Sequence, residues 1–337
     1  MSLEIQQNVS LQTYNSLAVP ATAAYLAELT SLDKVREAIE FAQNKKLSMF
    51  VLGEGSNTVF KSDYTGLILL NRLLGIELLE ENSNEVIVKV SAGENWHRFV
   101  TYTLKNGWLG LENLALIPGF VGAAPIQNIG AYGVEVKDFI ESVDLINLET
   151  GSQTTMMSNK CAFGYRDSIF KEALKGQIII TAVTFCLKKQ TAVNISYPAL
   201  SSYFKDQLSP TSQDVFTAVC TIRSEKLPNP CDVPNAGSFF KNPVISPEQY
   251  AELIIEYPNM VCHPFGNDYK VAAAWMIDSA GWKSRVNNSV RVHSEQALVI
   301  INPEKRSGSE VLVLAEAIKK DIYTKFGIEL EIEPTIS

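Results

Sequence analysis

Between Leu116 and Gly133 the chain reads LIPGFVGAAPIQNIGAYG, with glycines at 119, 122, 130 and 133, prolines at 118 and 125, and no charged residue. A flexible linker would be polar. This segment is apolar, so it is expected to pack against something flat and apolar. Its glycines allow positive φ and close backbone approach. Two readings stay open from these residues alone. One is an Ω-like loop filling its own core. The other is a loop whose N–H groups, with the Gln127 and Asn128 amides, wrap a pyrophosphate and an aromatic ring system.

The rest of the chain fits a sizeable globular protein. Its 337 residues correspond to about two or three domains. With 46% apolar and 20% charged residues, disordered, fibrous and coiled-coil classes are excluded. No apolar run approaches the ~18 residues of a membrane span. The N-terminal MSLEIQQNVS has no basic flank followed by an apolar stretch, so no signal peptide is expected. The net charge of −8 argues against a general nucleic-acid binder. An anionic ligand would need a local basic pocket. Cys161, Cys186, Cys220, Cys231 and Cys262 are scattered and read as reduced thiols of a cytoplasmic protein. Only Cys262-His263 brings cysteine and histidine together, so no metal site is expected.

Periodicity predicts helices over Leu32–Asn44, with Ser31 as N-cap, and over Trp96–Lys105. Strands are predicted over Leu47–Leu52, Gly66–Asn71, Glu85–Val90, Val143–Leu148 and Gln177–Leu187, around a helix-poor middle. Further helices are expected over Pro247–Ile255, Ala272–Asp278 and Ser309–Phe326, and a strand over Glu295–Ile301. Boundaries are suggested near Leu70 and within Thr191–Pro210. The last third reads as α+β.

Four shorter motifs carry possible chemistry. Gly53-Glu-Gly-Ser-Asn57 follows a strand and is either a tight turn or a set of N–H groups turned to phosphate. It is neither a dinucleotide fingerprint nor a P-loop. Phe163–Phe170 (FGYRDSIF) sets Arg166 among aromatics, suited either to gripping a carboxylate or phosphate bidentately or to a contact with Asp167. Asn235–Pro243 (NAGSFFKNP) places Ser238 between a glycine and two phenylalanines, with Lys241 and Asn242 behind. Such a serine is either a proton donor in a dry pocket or a turn residue beside the core. Gly327–Glu333 alternates carboxylates with aliphatics, so as a strand it would set Glu329, Glu331 and Glu333 on one face.

Taken in order, LGEGSN (52–57), GENWHRFVTYTL (93–104), GLENLALIPGFVGAAPIQNIGAYG (110–133), FGYRDSIF (163–170), KLPNP (226–230), NAGSFFKNP (235–243) and HSEQALVIIN (293–302) closely resemble the UDP-N-acetylenolpyruvoylglucosamine reductases. The resemblance covers nearly the whole chain. Tyr197, in ISYPAL, resembles the subgroup with an extra loop and a split βαββ-type insertion. The resemblance implies an α+β protein. A two-subdomain FAD-binding domain of PCMH/vanillyl-alcohol-oxidase type (1–70 and 71–205) would precede an α+β UDP-sugar-binding domain (206–327). Segment 328–337 would return to the active site. It implies NADPH-dependent reduction of the enolpyruvyl ether of UDP-N-acetylglucosamine to UDP-N-acetylmuramate through FAD. The setting would be peptidoglycan precursor synthesis, by a cytoplasmic monomer with no membrane insertion.

Residue by residue, the resemblance implies Ser238 as proton donor, Glu333 as catalytic carboxylate and Arg166 as catalytic arginine. Tyr197, Lys226, Asn242, Lys270 and Gln296 would contact the nucleotide-sugar or its carboxylate. Gly53, Gly55, Ser56 and Asn57 would hold the FAD phosphates. Ile117, Pro118, Gly119, Gly122, Gln127, Asn128, Gly130, Ala131, Tyr132 and Gly133 would line the flavin nucleotide, with Arg223 on the flavin side. Three departures stand out. The family's Val-Arg after the glutamate is Pro334-Thr335 here, which leaves Glu331 as the alternative to Glu333. Ala123-Ala124 replace small hydroxyl residues. His263 stands where a tyrosine is expected. A small-alcohol oxidase of the same fold would lack NAGSFFKNP and KLPNP, and a non-catalytic descendant would have lost Ser238, Arg166 or Glu333.

Overall fold

The computed structural model describes residues 3–285 and 289–337. The chain divides into two units. The first comprises the residues up to Val9, Ala23–Gly55 and Tyr64–Glu225, and the second comprises Ser10–Thr22, Ser56–Asp63 and Lys226–Ser337.

In the first unit, strand Tyr64–Asn71 is buried throughout from Gly66 onward, as a strand covered on both faces must be. It pairs in parallel with Thr22–Leu29 on one side and Met49–Leu52 on the other. Strand Ile5–Ser10 forms the edge beyond Thr22–Leu29. Helix α1 (Leu32–Lys45) starts where the Ser31 hydroxyl accepts the Lys34 amide and stops at Lys46, whose φ is 54°. Val35, Ala38, Ile39 and Ala42 form its buried stripe and pack with Ala27, Leu29, Leu67 and Leu69. Burying Val35 and Ile39 contributes about 1.5–3 kcal/mol each.

The same unit holds an antiparallel five-stranded sheet. Its order is Gln153–Met157, Ile140–Asn147, Ile178–Lys188, Glu85–Ser91, Ile76–Glu81. Val86, Val88 and Val90 alternate into its core. Helix α2 (Trp96–Lys105) is capped by Asn95, which accepts the Arg98 amide. The α2 residue Phe99 meets Phe185 with ring centroids 5.1 Å apart. The buried Asn71 side chain donates to the Ile180 carbonyl at 2.8 Å and joins the two sheets. Helices α3 (Pro198–Tyr203) and α4 (Ser212–Lys226) follow, and α4 buries Val215, Ala218, Val219 and Ile222.

The Leu116–Gly133 segment packs as expected. Val121, Ala124 and Ile129 enter the core of the five-stranded sheet. The Val121 and Gly122 amides donate to the Glu94 and Ala92 carbonyls at 2.8 and 2.9 Å.

The second unit contains helices α5 (Pro247–Glu256), α6 (Ala273–Ser279) and α7 (Gly308–Phe326). One three-stranded sheet has the order Asn235–Ser238, Val299–Ile301, Arg291–Val292, and the other Val244–Ile245, Asp268–Val271, Cys262–Phe265. A parallel pair joins Thr335–Ile336 to Thr58–Val59. Asn302, fully buried, donates to the Leu17 and Arg306 carbonyls, both at 2.9 Å, and accepts the Arg306 amide at 2.8 Å.

Two predicted strands differ. In Glu295–Ile301 only Val299–Ile301 is strand, because the Val299 amide turns back to the Gln296 carbonyl at 3.0 Å. Gly327–Glu333 keeps its alternation, with Ile328 and Leu330 buried and Glu329 and Glu331 exposed. It pairs through one isolated bridge, Phe240 opposite Ile332, and forms no extended ladder.

Candidate active site

In the first unit, Arg166 sits in a tight turn closed by the Gly164 amide on the Asp167 carbonyl at 2.9 Å. Its φ is 54°, and its guanidinium reaches the Gly130 carbonyl. Glycine at 130 permits this approach, since a Cβ there would lie 2.8 Å from the Arg166 Nη1. The Asp167 carboxylate accepts the Ser168 amide at 2.8 Å. Ser168 in turn donates to the Ile126 carbonyl at 2.5 Å. FGYRDSIF is thus tied to the glycine-rich loop through Arg166 and Ser168.

Asn128 is fully buried at the centre of that loop. Its side chain donates to Glu135 Oε2 and the Gly164 carbonyl at 3.0 and 2.8 Å and accepts the Lys137 amide at 3.1 Å. Its amide therefore shapes the loop from within. Tyr132 meets Tyr197 edge-on, with centroids 5.2 Å apart. Burial pushes the Tyr132 phenol above its ordinary pKa, opposed by nearby Arg223. Arg223 comes from α4, and burial pushes its guanidinium down, with Tyr132 opposing and Arg166 adding to the fall. Its Nε is buried with no hydrogen-bond partner among the described residues.

That orphaned donor tests the fit to a flavin nucleotide. Two guanidiniums that feel one another, beside two tyrosines, call for a carbonyl or anionic acceptor. The pyrimidine edge of a flavin offers both. The residues fit the group.

Sequence reasoning missed four residues that shape this region. Asn113, buried, donates to the Tyr132 and Asn194 carbonyls at 3.0 and 2.8 Å. Asn194 donates to the Gly133 carbonyl at 3.1 Å. Glu54 accepts the Gly119 amide at 2.5 Å, and His97 accepts the Leu116 amide at 3.0 Å. Each lies in or beside a quoted motif, but nothing in the motif says which backbone group it reaches.

In the second unit, buried Asn235 donates to the Pro228 and Val233 carbonyls at 3.1 and 2.8 Å and accepts the Gly237 amide at 2.8 Å. With Gly237 at φ 69°, the chain turns so that Ser238 is exposed while Phe239 and Phe240 are buried. The Glu333 amide donates to the Phe239 carbonyl at 3.0 Å, which brings the two catalytic candidates of this unit to neighbouring positions. Gln296 belongs to the turn before Val299, the strand partner of Ser238. Asn242 accepts the Ala273 amide at 2.9 Å and caps α6. Lys270 lies in the other small sheet, opposite His263, with its ammonium 3.7 Å from the Phe265 ring centre. Lys226 ends α4 and is exposed. Ser56 and Asn57 run into strand Thr58–Val59, and the Asn57 carbonyl accepts the Thr335 amide at 2.9 Å. Among the described residues, no group of three or more His, Cys, Asp or Glu could hold a metal ion, and no helix is long and apolar enough to cross a membrane.

Residues 23–156 match the family model described as an FAD binding domain, and residues 229–337 match that of the UDP-N-acetylenolpyruvoylglucosamine reductase C-terminal domain. Fold and family matches together define an FAD-binding oxidoreductase with α+β architecture. Reductases of that name from Burkholderia lata and Pseudomonas fluorescens are 43% and 42% identical, over 99% and 100% of this chain and 97% and 100% of their own. The chain belongs to the UDP-N-acetylenolpyruvoylglucosamine reductase family. The crystal structure of the Thermus caldophilus enzyme of this name shares the fold, with TM-score 0.67 at 22% identity, covering 100% of this chain and 99% of that one.

Proposed function

We propose that this enzyme reduces the enolpyruvyl ether of UDP-N-acetylglucosamine to UDP-N-acetylmuramate with NADPH as hydride donor. The reaction would serve peptidoglycan precursor synthesis in the cytoplasm, by a monomer. The observation that carries this reading is the pair of family matches in one chain. A flavin oxidase of the same fold would account for residues 23–156 but not for 229–337.

FAD, when bound, supplies the chemistry of taking a hydride from the nicotinamide and passing it to the vinyl carbon of the sugar ether. The chain's own residues do the rest. Gly53, Gly55, Ser56 and Asn57 hold the cofactor's phosphates. Ile117–Gly119, Gly122, Gln127 and Gly130–Gly133 line its length, with Asn128 acting from inside the loop and Arg223 meeting the flavin edge. Arg166 and Lys226 hold the substrate carboxylate and stabilise negative charge as it develops, the term expected to be largest. Ser238 gives its proton to the carbon next to the reduced one, and Glu333 orients that end of the substrate. Tyr197, Asn242, Lys270 and Gln296 position the nucleotide-sugar. The segment from 206 to 327 is the sugar-binding domain, following flavin-binding subdomains 1–70 and 71–205.

The test is stoichiometry. Purified enzyme with NADPH and the enolpyruvyl UDP-sugar should oxidise one NADPH per sugar, and the sugar should gain two hydrogens in mass. NADPH oxidation that consumes oxygen and leaves the sugar unchanged would refute the substrate assignment.

A further inference from the structure

The motif GENWHRFVTYTL contains a histidine with no part in the chemistry above. His97 lies in the first turn of α2. Its Nδ1 accepts the Leu116 amide at 3.0 Å. A backbone N–H can only donate, so Nδ1 carries a lone pair and the ring is uncharged, with its proton on Nε2. The ring stacks on Phe216 of α4, with centroids 5.5 Å apart and planes 11° from parallel, which fixes the direction of Nδ1.

The bond falls on a demanding stretch of backbone. Leu116 has φ 59°, a left-handed conformation that a leucine avoids unless held there. Three residues on, Gly119 has φ 116°. Its amide is taken by Glu54 Oε2 at 2.5 Å and its carbonyl by the Trp96 amide at 3.0 Å. The Trp96 indole donates to the Leu114 carbonyl at 2.8 Å. Leu116-Ile-Pro-Gly119 is thus held at its first amide by His97 and at its last by Glu54. The Gly119 and Leu114 carbonyls have no protonation equilibrium near neutrality, whereas imidazole is the side chain whose ordinary titration falls there.

We propose that His97 is a positioning residue for the FAD-binding loop: its uncharged Nδ1 holds the Leu116 amide, and protonation there releases the loop and weakens FAD binding. This rests on the reading that residues 117–119 contact FAD. Protonated imidazole turns an N–H toward the Leu116 N–H, so acceptance is replaced by repulsion. Burial pushes the His97 pKa below its ordinary value, which keeps the acceptor form in place near neutrality. The titratable residues on the surrounding elements are Arg98, Tyr102 and Lys105 on α2, Asp214, Cys220, Arg223, Glu225 and Lys226 on α4, and Glu54 in the turn. Segment 114–119 has none.

The experiment measures the FAD dissociation constant of deflavinated protein by flavin fluorescence across about pH 5.5 to 8. Wild type, His97→Asn and His97→Leu are compared, the asparagine carrying an acceptor oxygen near the Nδ1 position that does not titrate. Wild type should bind about tenfold more weakly at the acid end. The asparagine variant should bind like wild type near neutrality and show no such acid loss. The leucine variant should be weak throughout. An asparagine variant that loses affinity on acidification as wild type does overturns the proposal, and so does a leucine variant that binds like wild type. Amide hydrogen exchange at Leu116 in the leucine variant separates the causes of that last result. Unchanged exchange means that His97 does not hold the segment, whereas faster exchange means that the segment does not touch FAD. If the leucine variant does not fold, the asparagine comparison alone decides.

Discussion

The Glu333 amide donates to the Phe239 carbonyl at 3.0 Å, and two residues away the Lys241 amide donates to the Glu331 carbonyl at 2.9 Å. This narrow antiparallel pair, centred on Phe240 opposite Ile332, sets the register of the two acidic candidates. Glu331 falls beside Lys241, and their side chains form an ion pair. Glu333 falls beside the residue that follows Ser238. Beyond Pro334 the chain is held again, by the parallel pairing of Thr335–Ile336 with Thr58–Val59.

That register separates two variants. Glu331→Gln should cost under about 1 kcal/mol of stability, because the carboxylate is largely exposed, and leave turnover close to normal. Glu333→Gln should slow reoxidation of the reduced enzyme by the enolpyruvyl sugar at least tenfold more than Glu331→Gln does. Single-turnover absorbance decides the ranking, and the opposite order assigns the role to Glu331.

Ser238→Ala should leave reduction by NADPH nearly normal and slow the sugar half-reaction by about 10²–10⁴-fold, the usual worth of a positioned acid. Stopped-flow traces of the two half-reactions provide the check. Equal slowing of both would mean that the serine holds the site together and does not donate the proton.

Gly122→Ala should weaken both fold and cofactor retention. A Cβ at 122 would lie 2.5 Å from the Ala92 Cβ and 3.1 Å from the Ala92 carbonyl oxygen, so the loop must move off the sheet. Overpacking of this kind costs about 1–3 kcal/mol. Thermal melting and flavin content should fall together, and adding Ala92→Gly should restore part of both.

Cys161 is fully buried, and burial pushes its thiol up to about 11. In native protein near pH 8 a thiol reagent should modify exposed Cys231 first and reach Cys161 only on unfolding. Because the folded pKa is the higher one, the unfolded chain loses this proton first as pH rises. The Cys161 contribution to stability is therefore full below the ordinary thiol range and is lost from there up to about 11. Denaturant melts of wild type and Cys161→Ala should converge with rising pH across that window.

Helices were legible where buried residues recur at helical spacing, as Val35, Ala38, Ile39 and Ala42 do in α1. The prediction over Trp96–Lys105 matches α2 end to end, and that over Leu32–Asn44 stops one residue short of α1. Strand Ile5–Ser10 was missed because it is an edge strand with no buried residue and hence no alternation to read. Helix α4 was missed although Val215, Ala218, Val219 and Ile222 recur at the same spacing as the buried residues of α1, because it follows a stretch that reads as a boundary. The Leu116–Gly133 loop was legible as a packed segment, since apolar residues without charge must be covered. Its clamps were not. Nothing local says that Glu54 reaches Gly119 or that His97 reaches Leu116, because both contacts depend on how distant segments meet. Motif resemblance supplied Ser238, Arg166 and Glu333. The glycine at 130 that lets Arg166 approach the loop carbonyl became visible only in three dimensions.

The central claim is that one site carries a hydride from NADPH to the enolpyruvyl sugar through FAD. An anaerobic absorbance trace tests it most directly, with one equivalent of NADPH added first and the sugar second. The flavin band should bleach with NADPH and return only with the sugar. A band that bleaches but does not recover on addition of the sugar would contradict the substrate assignment. A protein that neither carries nor takes up flavin would contradict the account of both glycine-rich segments.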